Sequence, residues 1–304
     1  MSITKAEIKE LVRSLGIEMC GVSGVDRFKT SLPGRNPCDI LPGCKSVIVI
    51  GANLLDGVVQ ANFRACEDGR QDLKGIYGTY GYAMIPNFEL TYVCYAVARF
   101  IEKNSGAAST PCSTGPMTNG MQISIRHAAV AAGLGQFGYM SIVLTPQFGP
   151  RNRFGVILTT LELEPDPMYD GPSLCNPEKC DICVKVCPTG ALRTYGTHEL
   201  EHVEIGDKTY EYTLVNFPKC RKALQAMTKD LDGSGDYLTV KEPTMEDLAA
   251  AEERMPIDTL GLQHICSWHC GRCLSYCPSG NWGDHFKKTG LSKGAAGVFI
   301  EEKK

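Results

Sequence analysis

The chain has 304 residues, with 31 basic and 34 acidic side chains and a formal net charge of −3 at pH 7. This length is enough for one large or two modest hydrophobic cores, and the charge balance excludes a general attraction for nucleic acid. The mean hydropathy is −0.12, and no apolar run approaches the ~20 residues that span a bilayer. Because the N-terminus, MSITKAEIKE, is too polar for a secretory signal, we expect a cytoplasmic protein with no membrane segment.

The first third of the chain carries the patterns of a mixed α and β structure. Thr4 with Glu7 three residues later forms a capping box, which predicts a helix closed by Gly16. The continuous apolar, β-branched run SVIVIGAN at residues 46–53 is typical of a buried strand. Glycine, tyrosine and charge interrupt the pattern over residues 64–82, which we interpret as a long loop or lid near the functional site.

Three more elements are predicted ahead of the cysteine-rich stretches. Residues 87–101 are apolar nearly all round, which predicts a buried helix. Its aromatic side chains are expected in the core: Phe88, Tyr92, Tyr95 and Phe100. The pattern of residues 122–132 predicts a second helix that ends at Gly133. In residues 153–163 apolar and polar side chains alternate, which predicts a strand.

Nine of the fifteen cysteines lie between residues 175 and 277. Eight of them form two runs that end in the same C-x2-C-x3-C-P phrase: Cys175-x4-Cys180-x2-Cys183-x3-Cys187-Pro188, the first cysteine run, and Cys266-x3-Cys270-x2-Cys273-x3-Cys277-Pro278, the second cysteine run. Closely spaced thiolates let a short loop hold several corners of an iron–sulfur cube, and in two-cluster ferredoxins the fourth cysteine of each run binds the other cluster. The spacing therefore predicts two [4Fe–4S] clusters.

Two other readings of these cysteines are weaker. Zinc ribbons also use C-x2-C pairs, but they rarely repeat a third cysteine followed by proline. A disulfide framework fits poorly with a long chain that lacks a secretory signal. The remaining six cysteines have no paired spacing and are interpreted as core or loop thiols in the reducing cytoplasm of an anaerobe: Cys20, Cys38, Cys44, Cys66, Cys94 and Cys112.

The segment between the two runs is predicted to be an insertion of small elements. Residues 201–213 read as a hairpin that turns at Gly206 and Asp207. Residues 232–236, DGSGD, read as a flexible loop. Thr244 starts a helix that continues to Arg254.

Three glycines in six residues, Gly133, Gly135 and Gly138, form what we call the glycine corner. Such a density indicates close approach of the backbone to a ligand, or a tight packing corner. It does not match the dinucleotide fingerprint, because that motif follows a strand and opens a helix, whereas here a helix comes first.

A series of motifs gives the chain a family resemblance. RHAAVAAGLGQFG at residues 126–138, LTPQFG at 144–149 and TLEL at 160–163 precede a cysteine run that ends in Cys-Pro. This series resembles the epoxyqueuosine reductases and the related reductive dehalogenases, and the resemblance extends over residues 5–280.

The resemblance implies an α+β fold with two domains. Residues 1–167 would form a nitroreductase-like domain that binds cobalamin. Residues 168–304 would form a ferredoxin-like domain with two [4Fe–4S] clusters and an insertion at about 196–260. Electrons from a ferredoxin or flavodoxin-type donor would pass through the distal and then the proximal cluster to cobalt, since no side chain delivers low-potential single electrons.

The same resemblance suggests cluster ligands. One cluster would be held by Cys175, Cys180, Cys183 and, crossing back, Cys277. The other would take Cys187, Cys270 and Cys273 with a fourth thiolate. Cys220 stands where the family has that ligand and is favoured, while Cys266 remains open as the alternative.

Corrin contacts are also implied by the family positions. They lie in the glycine corner and in the turn that follows it: Gly133, Gly135, Gly138, Thr145, Pro146, Phe148 and Gly149. Arg126 is a further candidate. Arg126 is equally well explained as a surface or salt-bridged helix residue. His127 is interpreted as a structural histidine, because related proteins hold cobalamin without an axial histidine.

The chain also departs from both families. Where epoxyqueuosine reductases have an acid that protonates the leaving oxygen, this chain has Asn119, and an amide does not supply that proton. Those reductases commonly add helical repeats and a basic surface for transfer RNA. Reductive dehalogenases usually have an export signal and a longer chain, and their usual proton donor is a tyrosine. Four tyrosines are available for that role: Tyr77, Tyr80, Tyr82 and Tyr139. The catalytic candidates are Tyr82, Tyr139 and Asn119.

The leading hypothesis is an oxygen-sensitive oxidoreductase that uses cobalamin and two [4Fe–4S] clusters to cleave a bond in a small molecule. A second hypothesis is an electron-transfer protein that reduces a corrinoid protein partner. Transfer-RNA modification ranks lowest, because the net charge is negative.

Overall fold

The structure is a computed structural model that describes residues 3–31, 34–82, 84–112, 122–256 and 270–280. It combines helices and strands, as the α+β prediction requires. The helices are α1 (Lys5–Ser14), α2 (Pro37–Ile40), α3 (Asp56–Glu67), α4 (Lys74–Tyr77), α5 (Ile85–Ser105), α6 (Ile125–Ala131), α7 (Ile182–Lys185), α8 (Phe217–Leu224), α9 (Met245–Arg254) and α10 (Arg272–Ser275). The strands are β1 (Met19–Gly24), β2 (Ser46–Asn53), β3 (Ser109–Cys112), β4 (Gln136–Phe137), β5 (Val143–Leu144), β6 (Asn152–Thr159), β7 (Glu201–Ile205) and β8 (Lys208–Tyr212).

The central sheet has four strands in the order β1-β2-β6-β3, and every neighbouring pair is antiparallel. Strand β2 has the predicted bounds and is buried everywhere except at Asn53. Its side chains alternate between two cores. Val47 and Val49 face the core that contains α6, while Ile48 and Ile50 face the core that contains α1 and α5. A strand buried on both faces explains the unbroken apolar run in its sequence.

Helix α1 begins where the capping box predicts. The Thr4 hydroxyl accepts a hydrogen bond from the Glu7 backbone N–H at 3.3 Å, and Glu7 Oε2 accepts one from the Thr4 backbone N–H at 2.8 Å. These two bonds satisfy N–H groups that the first turn of a helix leaves without partners. Ile8 and Val12 then bury one face of the helix against the sheet.

Residues 64–82 are helical except at residues 68–70, so the prediction of a long loop is wrong. Helix α3 continues to Glu67, and α4 is followed by a π-helical turn at Gly78–Tyr82. The reason is tertiary packing, because Val59, Phe63 and Tyr77 form a small buried core with their neighbours.

Helix α5 confirms the predicted helix and extends it at both ends, stopping at Gly106 with φ 74°. Leu90, Val93 and Val97 are buried against the sheet. The prediction that the aromatic residues belong to the core is wrong for three of them, because they lie on the solvent side with large exposed fractions: Phe88 40%, Tyr92 66% and Tyr95 53%. None of the helices in the described ranges combines the length and the apolar character needed to cross a membrane.

The region between the cysteine runs contains the predicted small elements. Strands β7 and β8 form an antiparallel hairpin with Gly206 and Asp207 at the turn. Helix α9 starts from a capping box of Thr244 and Asp247. It packs over a separate small core: Met227, Leu238, Leu248, Ala251 and Met255.

Candidate functional site

Eight of the nine predicted ligand cysteines are described, and they fall into two groups of four. In the first tetrad, Cys175, Cys180, Cys183 and Cys277, the pKa of the Cys183 thiol is raised to about 12 by burial and by the charges of the other three. The pKa of Cys277 is raised to about 11 by burial, and the charges of Cys175 and Cys180 act in the same direction. Thiols that influence one another in this way lie close together, although residue 277 is far from the first run in sequence.

The second tetrad consists of Cys187, Cys220, Cys270 and Cys273. Burial raises the pKa of Cys273 well above its ordinary value, and the charges of Cys270, Cys220, Cys183 of the first tetrad and Cys187 add to the shift. The pKa of Cys220 is raised to about 11 by burial and then by the charge of Cys187. Cys220 therefore lies where a fourth ligand is needed, whereas Cys266 lies outside the described residues.

The donor set suits iron–sulfur clusters. All eight cysteines are free thiols that are neither fully buried nor exposed. Within the described ranges, no three His, Cys, Asp or Glu side chains are close enough to hold a single metal ion, but a [4Fe–4S] cube binds one thiolate at each of four separate corners. A raised pKa disfavours the thiolate in the metal-free site, and iron favours it because metal ligation deprotonates thiols. The eight cysteines thus fit two clusters.

An apolar cavity adjoins the second tetrad. Its volume is about 130 Å³, and all four cysteines of that tetrad line it, so a cluster held by them would occupy part of this space. Met140, Ile142 and Leu192 form much of its wall. The cavity also reaches Tyr82 and Arg153, which belong to the part of the chain before the cysteine runs.

Tyr82 and Arg153 form a stacked pair at this cavity. The guanidinium carbon Cζ of Arg153 lies 4.1 Å from the centroid of the Tyr82 ring, a distance at which a cation interacts favourably with an aromatic face. Arg153 Nε and Nη2 are buried and have no hydrogen-bond partner among the described residues. These two donors are available to a charged group that forms or binds in the cavity.

The other candidate tyrosines lie elsewhere or are inaccessible. The Tyr139 hydroxyl donates to the Arg193 carbonyl at 2.6 Å, and the Tyr139 backbone N–H donates to Cys175 Sγ at 3.4 Å. Tyr139 thus adjoins the first tetrad, where it lines an open groove of about 590 Å³ together with Cys175. Tyr77 is fully buried and Tyr80 is exposed. Tyr82 and Tyr139 therefore line different cavities, and Asn119 lies outside the described residues.

The glycine corner packs against protein backbone. A Cβ atom on Gly133 would lie 2.1 Å from the Pro167 carbonyl oxygen, and one on Gly135 would lie 2.0 Å from the Leu144 carbonyl oxygen. A Cβ atom on Gly138 would lie 3.0 Å from the Leu144 side chain. These contacts account for all three glycines, and their role in binding a corrin stays a prediction.

The turn at residues 145–149 contacts the second cysteine run. Thr145 Oγ1 accepts hydrogen bonds from the Phe148 N–H at 3.2 Å and from Asn152 Nδ2 at 3.3 Å, which close the turn. Gly149 has φ +56°, and a Cβ atom there would lie 2.1 Å from the Ser279 carbonyl oxygen. Of the other two candidates in this turn, Pro146 is exposed and Phe148 is half-buried.

Arg126 and His127 have partners within the protein. Arg126 Nη1 donates to the carbonyl and the hydroxyl of Ser141, at 2.6 and 2.8 Å. His127 Nε2 lies 3.4 Å from the Tyr212 hydroxyl, and its ring packs edge-on against Phe137. Burial, with a smaller effect from the Arg126 charge, lowers the pKa of His127 to about 4. The imidazole is therefore neutral at pH 7, in keeping with a structural role.

The cavity beside the second tetrad is too small for a cobalamin. Pockets for drug-sized ligands measure about 300–1,000 Å³, and cobalamin is larger than such ligands. The cavity beside the second tetrad has a volume of only about 130 Å³. The residues expected to contact a corrin are instead engaged with protein atoms. No residue is assigned to hold this group.

Three residues at the site were not found from the sequence. Arg151 and Arg153 flank the start of β6, and their partners lie far away in the chain, so no local motif marks them. Cys66 was interpreted as a scattered thiol, yet it lines a small cavity with Cys270 and Arg272. For the two arginines, the sequence signal was their spacing of two residues at the start of a predicted strand.

The chain was compared with known proteins. No protein-family model matches it. Tetrachloroethene reductive dehalogenase of Desulfitobacterium hafniense is 35% identical over 102 residues, which are 33% of this chain and 17% of that protein. Epoxyqueuosine reductase of Gloeobacter violaceus is 29% identical over 224 residues, which are 63% of this chain and 62% of that protein. The matched stretch thus covers less than two thirds of either relative.

Solved structures of the same kind share the fold. A catabolic reductive dehalogenase aligns over 90% of this chain and 37% of its own, with a TM-score of 0.51 and 17% sequence identity. A second reductive dehalogenase, whose structure suggests a mechanism for B12-dependent dehalogenation, aligns over the same shares with a TM-score of 0.50 and 17% identity. At this identity the likeness supports the fold alone. The resemblance found in the sequence is confirmed by the curated relatives: the chain is related to the epoxyqueuosine reductases and the reductive dehalogenases, two groups of oxidoreductases.

Proposed function

We propose that the chain is an oxidoreductase that carries two [4Fe–4S] clusters and reductively cleaves a bond in a small molecule. One observation carries the proposal: the cavity lined by the second tetrad extends to the stacked Tyr82 and Arg153. An electron source and a proton donor would then meet in one apolar space, which is what a reductive cleavage requires.

The positions of the two tetrads support an electron route. Cys175 of the first tetrad lines the open groove, where a ferredoxin or flavodoxin-type donor can approach. Cys183 is close enough for its charge to raise the pKa of Cys273, after burial and Cys270, so the tetrads adjoin each other. Electrons would enter at the first tetrad and reach the cavity through the second.

The chemistry at the cavity is a two-electron, one-proton reduction. Cleavage of a bond R–X consumes two electrons and one proton and gives R–H and X⁻. The Tyr82 hydroxyl would supply the proton, and the guanidinium of Arg153, stacked on the Tyr82 ring, would hold that ring in place at the cavity. Water is disfavoured by the apolar wall.

The test uses anaerobically purified protein with reconstituted clusters. We expect about eight irons per chain for two [4Fe–4S] clusters, and conversion of an organohalide such as tetrachloroethene when a reduced viologen supplies electrons. The organohalide is the first choice because the curated relatives include tetrachloroethene reductive dehalogenases. Protein stripped of iron is the control. Equal product formation with and without the clusters would contradict the proposal.

Cobalamin is proposed as a further cofactor on the resemblance and on the relatives alone. When bound, it would supply a low-potential cobalt centre, which no side chain offers. Electron paramagnetic resonance on the reconstituted protein, before and after addition of cob(II)alamin, tests this. A changed Co(II) signal that saturates at one cobalt per chain supports it, while turnover that persists without cobalamin contradicts it.

An electron-transfer protein that reduces a corrinoid partner is the second candidate. It is favoured by the small volume of the cavity beside the second tetrad, about 130 Å³, which does not hold a cobalamin. It predicts reduction of the partner's cobalt without an organic product, and an unchanged free-cobalamin signal in the same resonance experiment.

Epoxyqueuosine reduction on transfer RNA is the third candidate and is supported only by the curated epoxyqueuosine reductases. The net charge of −3 disfavours it. Because electrostatic attraction to nucleic acid is strongest at low salt, the absence of transfer-RNA binding at low salt would exclude it.

A further inference from the structure

Arg151 is a buried arginine that contacts the second cysteine run. It lies directly before β6 with 2% of its surface exposed. Its Nη1 donates to the carbonyl oxygens of Cys277, at 2.7 Å, and Leu274, at 3.2 Å. Its Nη2 donates to the Ser279 carbonyl oxygen at 2.5 Å. One side chain thus holds three carbonyl groups around a single predicted ligand.

The backbone on both sides fits this contact. Gly149 and Gly280 lie so close together that a Cβ atom on Gly280 would be 2.5 Å from the Gly149 nitrogen. Leu274 and Ser275 end the short helix α10, so the fork of Arg151 spans the segment from that helix to the residue after Pro278. A lysine has one compact ammonium group and would not reproduce a planar fork with several fixed donors.

Arg151 also places a positive charge beside the first tetrad. The Nη1 of Arg151 lies 2.7 Å from the Cys277 carbonyl oxygen, and an arginine guanidinium stays protonated in proteins.

We infer that Arg151 is a positioning residue that orients Cys277 and raises the reduction potential of the cluster held by the first tetrad. The inference rests on the proposed clusters. Reduction adds one negative charge to a cluster, and a cation in a poorly solvated position stabilises that charge strongly. Net charge, hydrogen bonds and solvent exposure are the properties through which proteins set cluster potentials.

The test is a redox titration of the reconstituted protein, followed by electron paramagnetic resonance, with iron and sulfide counted for each variant. Arg151→Gln removes the charge, and Arg151→Lys keeps the charge without the fork. Arg27→Gln is the matched control, because half-buried Arg27 also donates to two backbone carbonyls, those of Ala131 at 2.6 Å and Asp166 at 2.8 Å. Arg27 belongs to neither tetrad nor to the cavity lining.

In Arg151→Gln we expect one of the two cluster potentials to fall, so that its reduced-to-oxidised ratio at a fixed potential drops at least tenfold, which is 59 mV for one electron. The other cluster should change by less than threefold. Arg151→Lys should shift the same potential less than Arg151→Gln does, and Arg27→Gln should shift neither.

Two results would overturn the inference. One is that both potentials in Arg151→Gln stay within threefold of the wild-type ratio, and the other is that Arg27→Gln lowers the same potential equally. If Arg151→Gln loses one cluster while Arg151→Lys and Arg27→Gln keep two, the positioning role is supported. A wild-type protein that binds no iron would instead overturn the proposed function, and it is recognised before any variant is measured.

Discussion

Cys220 and Cys266 are alternatives for one ligand position, and we expect Cys220 to fill it. Cys220 lines the cavity together with Cys187, Cys270 and Cys273. We expect Cys220→Ala to retain about four irons per chain instead of about eight, because one cluster loses a ligand. Cys266→Ala should retain eight. Iron and sulfide analysis of the two variants measures this, and loss of a cluster only in Cys266→Ala would reverse the assignment.

Tyr82 is the proposed proton donor, because it lines the cavity beside the second tetrad. Tyr82→Phe keeps the ring on which Arg153 stacks and removes only the hydroxyl. General acid catalysis contributes about 10²–10⁴-fold, so turnover of the organohalide should fall by at least 10²-fold with the iron content unchanged. The control is Tyr80→Phe, since Tyr80 is exposed. Unchanged turnover in Tyr82→Phe would remove Tyr82 from the mechanism.

His127 should make stability depend on pH. Its pKa is about 4 in the folded protein, lowered by burial and by Arg126 from an ordinary value of 6.5. The unfolded chain therefore takes up a proton below pH 6.5 that the folded chain does not take up until about pH 4. Stability is complete above pH 6.5 and falls as the pH decreases through that window.

Between pH 7.5 and 5.5 this difference amounts to ~1 kcal/mol of unfolding free energy. Anaerobic urea unfolding at the two pH values measures it. In His127→Gln the same change of pH should cost ~1 kcal/mol less than in the wild type. If both proteins lose equal stability, His127 is protonated in the folded state.

At the level of elements, the glycine corner offers a direct comparison. Gly135→Ala places a methyl group against the Leu144 carbonyl oxygen, and overpacking of this kind costs about 1–3 kcal/mol. Gly75→Ala is the control, because a Cβ atom on Gly75 in α4 meets nothing within 4 Å, and alanine favours a helix over glycine.

Both variants are measured by urea unfolding of cobalamin-free protein. A Gly135→Ala protein that is as stable as the wild type but fails to bind cobalamin would favour the corrin contact over the packing role. Lower stability without any cofactor would favour packing.

The elements that sequence patterns predicted well are those whose determinants are local. The capping box of Thr4 and Glu7 and the turn at Gly206 are formed by neighbours in the chain. The prediction for residues 64–82 was wrong because the glycines suggested a loop, whereas the burial of Tyr77 between helices is a long-range effect. In α5, the helical spacing of the aromatic residues does not show which face of the helix is buried. Tyr92 was therefore predicted to lie in the core although it is exposed.

The same distinction applies to the site. Ligand cysteines are close in sequence within each run, so their spacing predicted two clusters, and the family resemblance suggested how the cysteines divide between them. Arg151 contacts residue 277, and Arg153 stacks on residue 82, so neither contact has a local pattern. Long-range contacts of single polar side chains leave no periodic trace in a sequence.

For the whole molecule, the clusters should stabilise the cysteine-rich half more than the sheet. The described cores in that half are small, such as the one around Met227 and Leu248, whereas the sheet is buried on both faces. Metal binding that occurs only in the folded state stabilises the fold. We expect iron removal to make residues 170–256 sensitive to a protease while the region before them stays resistant.

Limited proteolysis with mass spectrometry of the fragments measures this, with the reconstituted protein as the control. Cleavage within the sheet at the same rate as in residues 170–256 would show that the two halves unfold as one unit.

The pairing of β2 with β6, which sets Asn53 opposite Asn152, has a consequence for biosynthesis. All four strands of the sheet, and Arg151 with them, precede the first ligand cysteine in the chain. At a translation rate of about 5–20 residues per second, Cys277 is made roughly 10 seconds after β6 is complete. The sheet can therefore form before either cluster is inserted, and the last ligand reaches a surface that is already folded. Delivery of iron, rather than folding of that surface, should limit how fast the newly made protein matures.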